Sequence, residues 1–232
     1  MTAALRTGTL TRSVEDYLKA IYHLSGAGQP ATTSDIAQHL DVSAPSVSGM
    51  VKRLADQGLL EHAPYKGVEL TAEGRRAALR MLRRHRIIET YLVERLGYTW
   101  DTVHVEAERL EHAVSEALID RMATALGNPG FDPHGDPIPG PDGSMAELIY
   151  TPLSDLPEGE RAVMRRAGTS DADRLRYLAE VGLVPGAALL VVARHPFNGP
   201  VTIRLGGEER VIGHGLAGQV LCQRQRGPES RA

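Results

Sequence analysis

The sequence predicts a mainly α-helical, multi-domain protein that begins with a winged helix-turn-helix and ends with a small β-rich domain. Three observations support this prediction. Two short helical segments flank a tight turn before a hairpin near residue 60, two long helical stretches occupy about residues 71–126, and short alternating strands follow residue 187. The length of 232 residues suits two or three compact units rather than one.

The charge of the chain is unevenly distributed. Apolar residues make up 42% of the chain, which is enough to bury a core. The net charge of −3 argues against a general nucleic-acid-coating protein. However, residues 1–100 have 13 basic and 10 acidic side chains, whereas residues 101–232 have 13 and 19. A division of this kind suggests that one half faces an anion and the other does something else, with ordinary surface scatter as the alternative.

Three features predict a cytoplasmic protein with no membrane partner. No apolar run approaches the ~20 residues that a membrane span needs. Residues Met1 to Leu10 lack the apolar stretch of a signal peptide. Cys222 is the single cysteine, which excludes a disulfide framework and any site that needs several thiolates.

Hydroxyl side chains predict the starts of three helices in the first domain, at Ser13, Thr33 and Ser43. Apolar residues follow each of them at helical spacing. Leu59 to His62 and Val68 to Leu70 then alternate as a short hairpin. Two helices at a tight turn followed by a hairpin predict a winged helix-turn-helix.

The helix after Ser43 is the predicted DNA-recognition helix. Its first turn carries small groups that suit phosphates and thymine methyls rather than bidentate base reading, and its N-terminus favours a phosphate. Basic side chains further along the helix and at the wing tip can neutralise other phosphates. The predicted DNA contacts are Ser43, Pro45, Ser46, Ser48, Gly49, Lys52, Arg53 and Lys66. A helix-turn-helix used only for protein contacts is the alternative at this point.

Two long helices, predicted over about residues 71–96 and 101–126, carry histidines and carboxylates at helical spacing. His85 and Glu89 share one face of the first helix. Four further side chains form a stripe on the second: His104, Glu108, Glu111 and His112. Burying these groups without a cation is costly, so the pattern predicts a metal site, with a solvated charged face as the alternative. Imidazole and carboxylate donors favour Mn²⁺ or Fe²⁺ over a structural zinc ion.

The last third of the chain begins with a change of composition. Residues 128–143 contain four glycines, five prolines and three aspartates, which predicts an ordered loop or a linker. A helix is expected near Ser170 to Val181. Strands are expected near Ala188–Ala193, Val201–Leu205 and Glu209–Ile212.

Together these motifs resemble the diphtheria-toxin-repressor family of metal-dependent transcriptional regulators, over nearly the whole chain. The likeness is carried by the winged helix and by three segments: Arg84-His85-Arg86 with Glu89, Val103-His104-Val105-Glu106-Ala107-Glu108 with Glu111-His112, and His134-Gly135-Asp136-Pro137-Ile138-Pro139. The resemblance implies a homodimer that binds double-stranded operator DNA. It also implies a winged-helix domain over residues 1–71, a helical dimerisation and metal-binding domain over 72–144, a linker over 145–150 and a small SH3-like (FeoA-like) β-barrel domain over 151–226.

The resemblance further implies two metal sites. The primary site takes Asp16 together with Glu108, Glu111 and His112. The ancillary site takes His85, Glu89 and His104. Relatives with three domains complete the ancillary site with a Glu and a Gln at the positions that are Arg166 and Thr169 in this chain. The iron-responsive branch usually has Met and Cys at the positions of Asp16 and Glu108, so this chain looks like the manganese-responsive branch.

We therefore expect Mn²⁺, or alternatively Fe²⁺, to fix the winged helices of a homodimer for operator binding, with repression of metal-uptake genes as the outcome. Two other classes remain possible from the residues alone. Paired carboxylates and histidines also build metal-dependent hydrolases and oxygenases, although no separate nucleophile or general-base motif is present and no enzyme is predicted. The second class is a winged-helix regulator that senses an organic ligand and uses the His/Glu stripe only structurally.

Overall fold

The computed structural model describes residues 10–25, 29–63 and 67–225. In these residues the chain forms eight α-helices and eight β-strands. The chain divides into a first unit, Met1–Arg84 with Pro139–Ser144, and a second unit, His85–Ile138 with Met145–Ala232. No helix in the described ranges combines the length and the apolar character that a membrane span requires.

The first unit contains the predicted winged helix-turn-helix. Its elements are α1 (Arg12–Leu24), α2 (Thr33–Leu40), α3 (Ala44–Asp56), β1 (Leu60–Ala63), β2 (Gly67–Leu70) and the beginning of α4 (Ala72–Leu96). β1 and β2 form an antiparallel hairpin, in which Leu60 lies opposite Leu70. Apolar residues three and four positions apart bury one face of each helix in a common core, which includes Leu18, Ile21, Ile36, Val47 and Leu54.

Two of the predicted helix starts are wrong by one or two residues. The N-cap of α1 is Thr11, not Ser13, because the backbone N–H of Glu15 already donates to the carbonyl of Thr11 at 3.1 Å. The N-cap of α2 is Thr32, not Thr33, because the Thr32 hydroxyl accepts the backbone N–H three residues on. The third prediction is confirmed, since Ser43 caps α3 through its side chain.

The second unit contains the rest of α4 and two shorter helices, α5 (Val103–Leu110) and α6 (Glu116–Ala125). The single helix predicted over residues 101–126 is therefore wrong. The chain leaves the helical path after α5, and Ser115 starts a new helix by accepting the backbone N–H of Leu118 at 3.3 Å. As a consequence, His112 lies in the turn between α5 and α6 rather than on a continuous helical stripe.

The remainder of the second unit is an SH3-like domain, here termed the sheet domain. Its elements are β3 (Thr151–Pro152), a 3₁₀ turn (Leu153–Asp155), β4 (Arg161–Ala167), α7 (Ala172–Glu180), β5 (Ala188–Arg194), β6 (Val201–Leu205), β7 (Glu208–Ile212), α8 (His214–Ala217) and β8 (Val220–Arg224). The strands form one antiparallel sheet in the order β3-β8-β4-β5-β6-β7. The predicted helix and three predicted strands are confirmed, whereas β3, β4 and β8 were not predicted. β4 contains a bulge between Met164 and Arg166.

Candidate metal centre

Helices α4 and α5 each present a histidine and a carboxylate one turn apart. His85 and Glu89 lie on one face of α4, and His104 and Glu108 lie on one face of α5, because residues four apart in a helix are neighbours. His85 and Glu89 are almost completely buried, with 6% and 2% of their surface exposed. In the second unit these two pairs come together.

Three ligand atoms converge at this meeting point. His85 Nε2 lies 2.9 Å from Glu89 Oε1 and 3.1 Å from His104 Nδ1, and His104 Nδ1 lies 3.1 Å from Glu89 Oε1. Protons on the two imidazoles satisfy the two sides that end on Glu89 but leave His85 Nε2 and His104 Nδ1 facing each other, whereas a divalent cation can accept lone pairs from all three corners. Glu108 lies next to these three residues, and its Oε1 is 3.7 Å from His104 Nε2. The structure thus brings the three residues predicted for the ancillary site together and adds Glu108, which was predicted for the primary site.

Glu111 continues the cluster from the other nitrogen of His85. Glu111 is completely buried, its Oε2 lies 2.6 Å from His85 Nδ1, and its Oε1 lies 3.4 Å from His112 Nε2. The imidazole of His85 therefore links residues that the sequence assigned to two separate sites. A carboxylate in such a place requires a positive partner, because an ionised group without one is costly to bury.

Asp16 is the remaining residue predicted for the primary site. It lies on α1, in the first unit, and is half-buried. Glu108, Glu111 and His112 belong to the second unit. The joining of Asp16 to these three residues by one cation stays a prediction.

Sequence reasoning missed a further cluster of possible ligands. Glu89, Asp132 and His134 are all buried, and one ligand atom of each lies within 4.8 Å of the others. His134 Nε2 lies 2.7 Å from the carbonyl oxygen of Trp100, which can only accept, so Nε2 carries the proton. Nδ1 faces Glu89 Oε2, 3.7 Å away, and carries a second proton while no cation is bound. Once that proton leaves, Nδ1 can coordinate, and a histidine whose other ring nitrogen is fixed by a carbonyl is typical of metal sites.

The negative charges within this cluster are balanced in part by Arg86, whose Nε lies 3.6 Å from Asp132 Oδ2, and otherwise by protons or a cation. Burial, followed by the charges of Asp136 and Glu89, raises the pKa of Asp132 to about 7. Burial lowers the pKa of His134, but the hydrogen bond and the charge of Glu89 outweigh it and raise this pKa to about 9. Burial also opposes ionisation of Glu89, yet the charge of His85 and the hydrogen bonds of its three histidine neighbours hold its pKa well below the usual value. A divalent cation at this place competes with the protons of Asp132 and His134.

A signal for this cluster was present in the sequence. Asp132 and His134 are a carboxylate and an imidazole two residues apart in the Gly/Pro-rich loop, and His134 begins a segment that carries the family resemblance. Nothing in the spacing indicated that the loop folds back toward Glu89 on α4. In the structure the loop is closed by Asp132, whose Oδ1 accepts the backbone N–H groups of His134 and Asp136, both at 2.9 Å.

The predicted DNA contacts on α3 and at its N-cap are all exposed to solvent. Buried Val47, Val51 and Leu54 hold the opposite face of this helix in the core. The predicted contacts that are exposed at the N-terminus and along the outer face of α3 are Ser43, Pro45, Ser46, Ser48, Gly49, Lys52 and Arg53. Lys66, predicted at the wing tip, lies outside the described residues.

Three family models match the chain one after another. Residues 9–68 match the iron dependent repressor N-terminal DNA binding domain, and residues 71–140 match the iron dependent repressor metal binding and dimerisation domain. Residues 151–224 match the FeoA domain.

Curated relatives and solved structures agree with these models. The iron-dependent repressor IdeR of Mycobacterium leprae is 36% identical over 227 residues, which cover 93% of this chain and 98% of the relative. The diphtheria toxin repressor of Corynebacterium diphtheriae is 35% identical over 210 residues, covering 86% of this chain and 92% of the relative. A manganese-dependent transcriptional repressor in complex with manganese superposes with a TM-score of 0.86 at 40% identity, covering 91% of this chain and 100% of that one. The manganese regulator SloR superposes with a TM-score of 0.75 at 34% identity, covering 93% and 100%.

Proposed function

Because the chain belongs to the diphtheria-toxin-repressor family, and is therefore a metal-dependent, DNA-binding transcriptional regulator and not an enzyme, we propose that it senses Mn²⁺ in preference to Fe²⁺ and represses genes of metal uptake. A DNA-binding repressor acts inside the cell, and we assign it to the cytoplasm. Its partners are operator DNA and a second copy of the chain, through the dimerisation domain.

The observation that carries this proposal is the convergence of His85, Glu89, His104 and Glu111. Two imidazoles and two carboxylates are linked through His85, which lies within hydrogen-bond distance of each of the others; His85, Glu89 and Glu111 are buried, and His104 is partly exposed. Such a set of donors fits a divalent cation far better than it fits a structural role, since an apolar core would be cheaper to build.

The preference for Mn²⁺ follows from the type of donor. Every residue proposed as a ligand offers a carboxylate oxygen or an imidazole nitrogen, and hard oxygen donors favour Mn²⁺ over softer metals. Cys222 is buried in β8 within the core of the sheet domain and belongs to none of these groups. Its thiol is also a poor ligand, because burial raises its pKa to about 12.

The proposed mechanism couples the two units through one cation. Asp16 belongs to the first unit, which carries the recognition helix, and Glu108, Glu111 and His112 belong to the second. Glu108, Glu111 and His112 would hold the cation, whose charge would offset the mutual repulsion of the carboxylates and so favour the arrangement in which Asp16 joins them. In a twofold dimer this arrangement sets the separation of the two recognition helices, which must match half-sites spaced by about one helical turn or a multiple of it.

The first prediction tests whether DNA binding depends on the metal. An operator is selected from a pool of random DNA duplexes in the presence of Mn²⁺, and its affinity is then measured by gel shift. We expect chelation to weaken binding about 5- to 150-fold, the usual range of coupling between two sites, and added Mn²⁺ to restore it. Fe²⁺ under anaerobic conditions should restore binding less well at the same free concentration.

Two outcomes of this experiment would contradict the proposal. Operator binding that is unchanged by chelation points to a regulator that senses an organic ligand or none at all. Failure to select any duplex in the presence of Mn²⁺ contradicts DNA-binding regulation by this metal. Mg²⁺, at a matched concentration, is the control for nonspecific screening of phosphate charge.

The second prediction concerns metal selectivity and the residue Glu108. Replacing a carboxylate by a thiolate substitutes a soft donor for a hard one, so Glu108→Cys should shift the order of activating metals from Mn²⁺ toward Fe²⁺ and Zn²⁺. The measurement is the free concentration of each metal that gives half-maximal operator binding.

The matched control is Glu108→Ser, because serine is similar in size to cysteine but has no thiol. An unchanged order of metals in Glu108→Cys would show that the type of donor at this position does not set selectivity.

A further inference from the structure

The loop that carries Asp132 and His134 is attached to the sheet domain by its backbone. The N–H of Ala167, the last residue of β4, donates to the carbonyl of His134 at 2.9 Å. The ring of the same histidine bonds to the carbonyl of Trp100, and Trp100 packs against the apolar core of the sheet domain. Both the backbone and the side chain of His134 are thus oriented by groups that belong to the sheet domain or rest on it.

Gly135 brings this loop into contact with β4. It has a φ of +86°, and a Cβ built on it would lie 1.8 Å from the carbonyl oxygen of Arg165 and 2.9 Å from the Cα of Arg166. Arg165 lies within the bulge of β4, where the register against β8 shifts. Bulges redirect a strand locally. Here the bulge pushes a carbonyl against the loop at a position where only glycine fits.

Asp136 fastens the other side of the loop. Its Oδ1 lies 2.8 Å from Arg166 Nη2 on β4 and 3.2 Å from Arg86 Nη2 on α4. Arg86 is buried and also donates to the carbonyl of Pro137 at 2.6 Å. One carboxylate is therefore held between a cation of the metal-binding helix and a cation of the sheet domain.

We propose that the sheet domain contributes to the metal centre by positioning His134 rather than by supplying a ligand, with Gly135, Asp136 and Arg166 as the positioning residues. This inference rests on the proposed function as a metal sensor, and adds to it that a cation binds at the cluster of Glu89, Asp132 and His134. Arg166 occupies a position at which the family resemblance implied a ligand. A guanidinium has no lone pair for a cation, and in this chain it instead holds the loop that carries the ligand.

The test compares two glycines of the same loop. Gly135→Ala introduces the clash with Arg165, whereas Gly130→Ala is the matched control, because nothing lies within 4 Å of a Cβ at that position. Mn²⁺ binding is followed by calorimetry and by the emission of Trp100, the single tryptophan, whose ring stacks on that of His134 with a centroid distance of 6.0 Å. We expect Gly135→Ala to weaken the Mn²⁺ binding that Trp100 reports by about 10- to 100-fold, and Gly130→Ala to match the parent.

A second pair of variants separates positioning from a loss of folding. Arg166→Ala removes the ion pair with Asp136 without placing an atom in the packed loop, and Arg166→Lys restores a cation at the same place. We expect about a 10-fold loss of Mn²⁺ affinity in Arg166→Ala and recovery of most of it in Arg166→Lys, with equal urea midpoints of the two metal-free variants. The electron paramagnetic resonance spectrum of bound Mn²⁺ should change in Arg166→Ala and return to that of the parent in Arg166→Lys.

Two results would overturn this inference. Parent-like Mn²⁺ affinity in both Gly135→Ala and Arg166→Ala would show that the sheet domain does not act on the site. A parent protein in which Trp100 does not respond to Mn²⁺ would show that no cation binds beside His134. In either case Mn²⁺-dependent operator binding by the parent would leave the proposed function intact, so the two failures are distinguishable.

Discussion

Replacing Glu111 with glutamine should weaken Mn²⁺ binding by at least about 100-fold, the upper end of what removing a supporting residue of a metal site costs. Glu111 is completely buried between two imidazoles, with oxygens 2.6 Å from His85 Nδ1 and 3.4 Å from His112 Nε2. Glutamine keeps the shape but removes the negative charge that balances a cation. The loss corresponds to about 2.8 kcal/mol of binding free energy. Isothermal calorimetry with Mn²⁺ on the full chain measures it directly.

The metal-free protein provides the internal check on this variant. Glu111→Gln removes one of several carboxylates from a crowded buried cluster, so the metal-free protein should unfold at the same urea concentration as the parent or at a higher one. Glu94→Gln, a change of the same charge at an exposed position of α4, should bind Mn²⁺ like the parent. A parent-like Mn²⁺ affinity in Glu111→Gln would exclude this carboxylate as a ligand and leave it a structural partner of His85.

The metal-binding helices illustrate what sequence reasoning can predict. A helix repeats every 3.6 residues, so the spacing alone predicted that His85 and Glu89 share a face of α4. The cost of burying such groups predicted a metal site, which stays a prediction; in the structure α4 and α5 meet through these side chains. The prediction needed no knowledge of tertiary structure, because both helices are amphipathic and their polar stripes are the informative feature.

Features that depend on non-periodic backbone were not predictable in the same way. The break after α5 was missed because residues 111–115 fit the spacing of a helix that continues. The Ser115 hydroxyl instead bonds to the backbone as the N-cap of α6, which favours a new helix over continuation of α5. β4 was missed because its three arginines and its bulge interrupt the alternation of buried residues. Asp132 and His134 were missed as possible ligands because their loop is shaped by contacts with β4, which are distant in sequence.

Replacing Asp16 with asparagine should have its effect on DNA rather than on the dimer. The variant keeps the size of the side chain and removes the charge through which α1 is proposed to join the cation. We expect Mn²⁺-dependent operator affinity to fall about 5- to 150-fold, because the metal can act on DNA binding only by the difference in its affinity for the competent and incompetent arrangements. The measurement is a gel shift across a series of free Mn²⁺ concentrations.

Asp16→Asn is informative because it should retain Mn²⁺ binding and the dimer while losing Mn²⁺-dependent operator affinity. Glu108, Glu111 and His112 remain, so Mn²⁺ should still bind to Asp16→Asn, with reduced affinity, and the dimer should elute unchanged in size-exclusion chromatography. Asp120→Asn, on the exposed side of α6, removes the same charge and should behave like the parent. If Asp16→Asn binds operator like the parent at limiting Mn²⁺, the cation does not join the two units through this residue. The metal would then act on the recognition helices by a route confined to the second unit and the dimer interface.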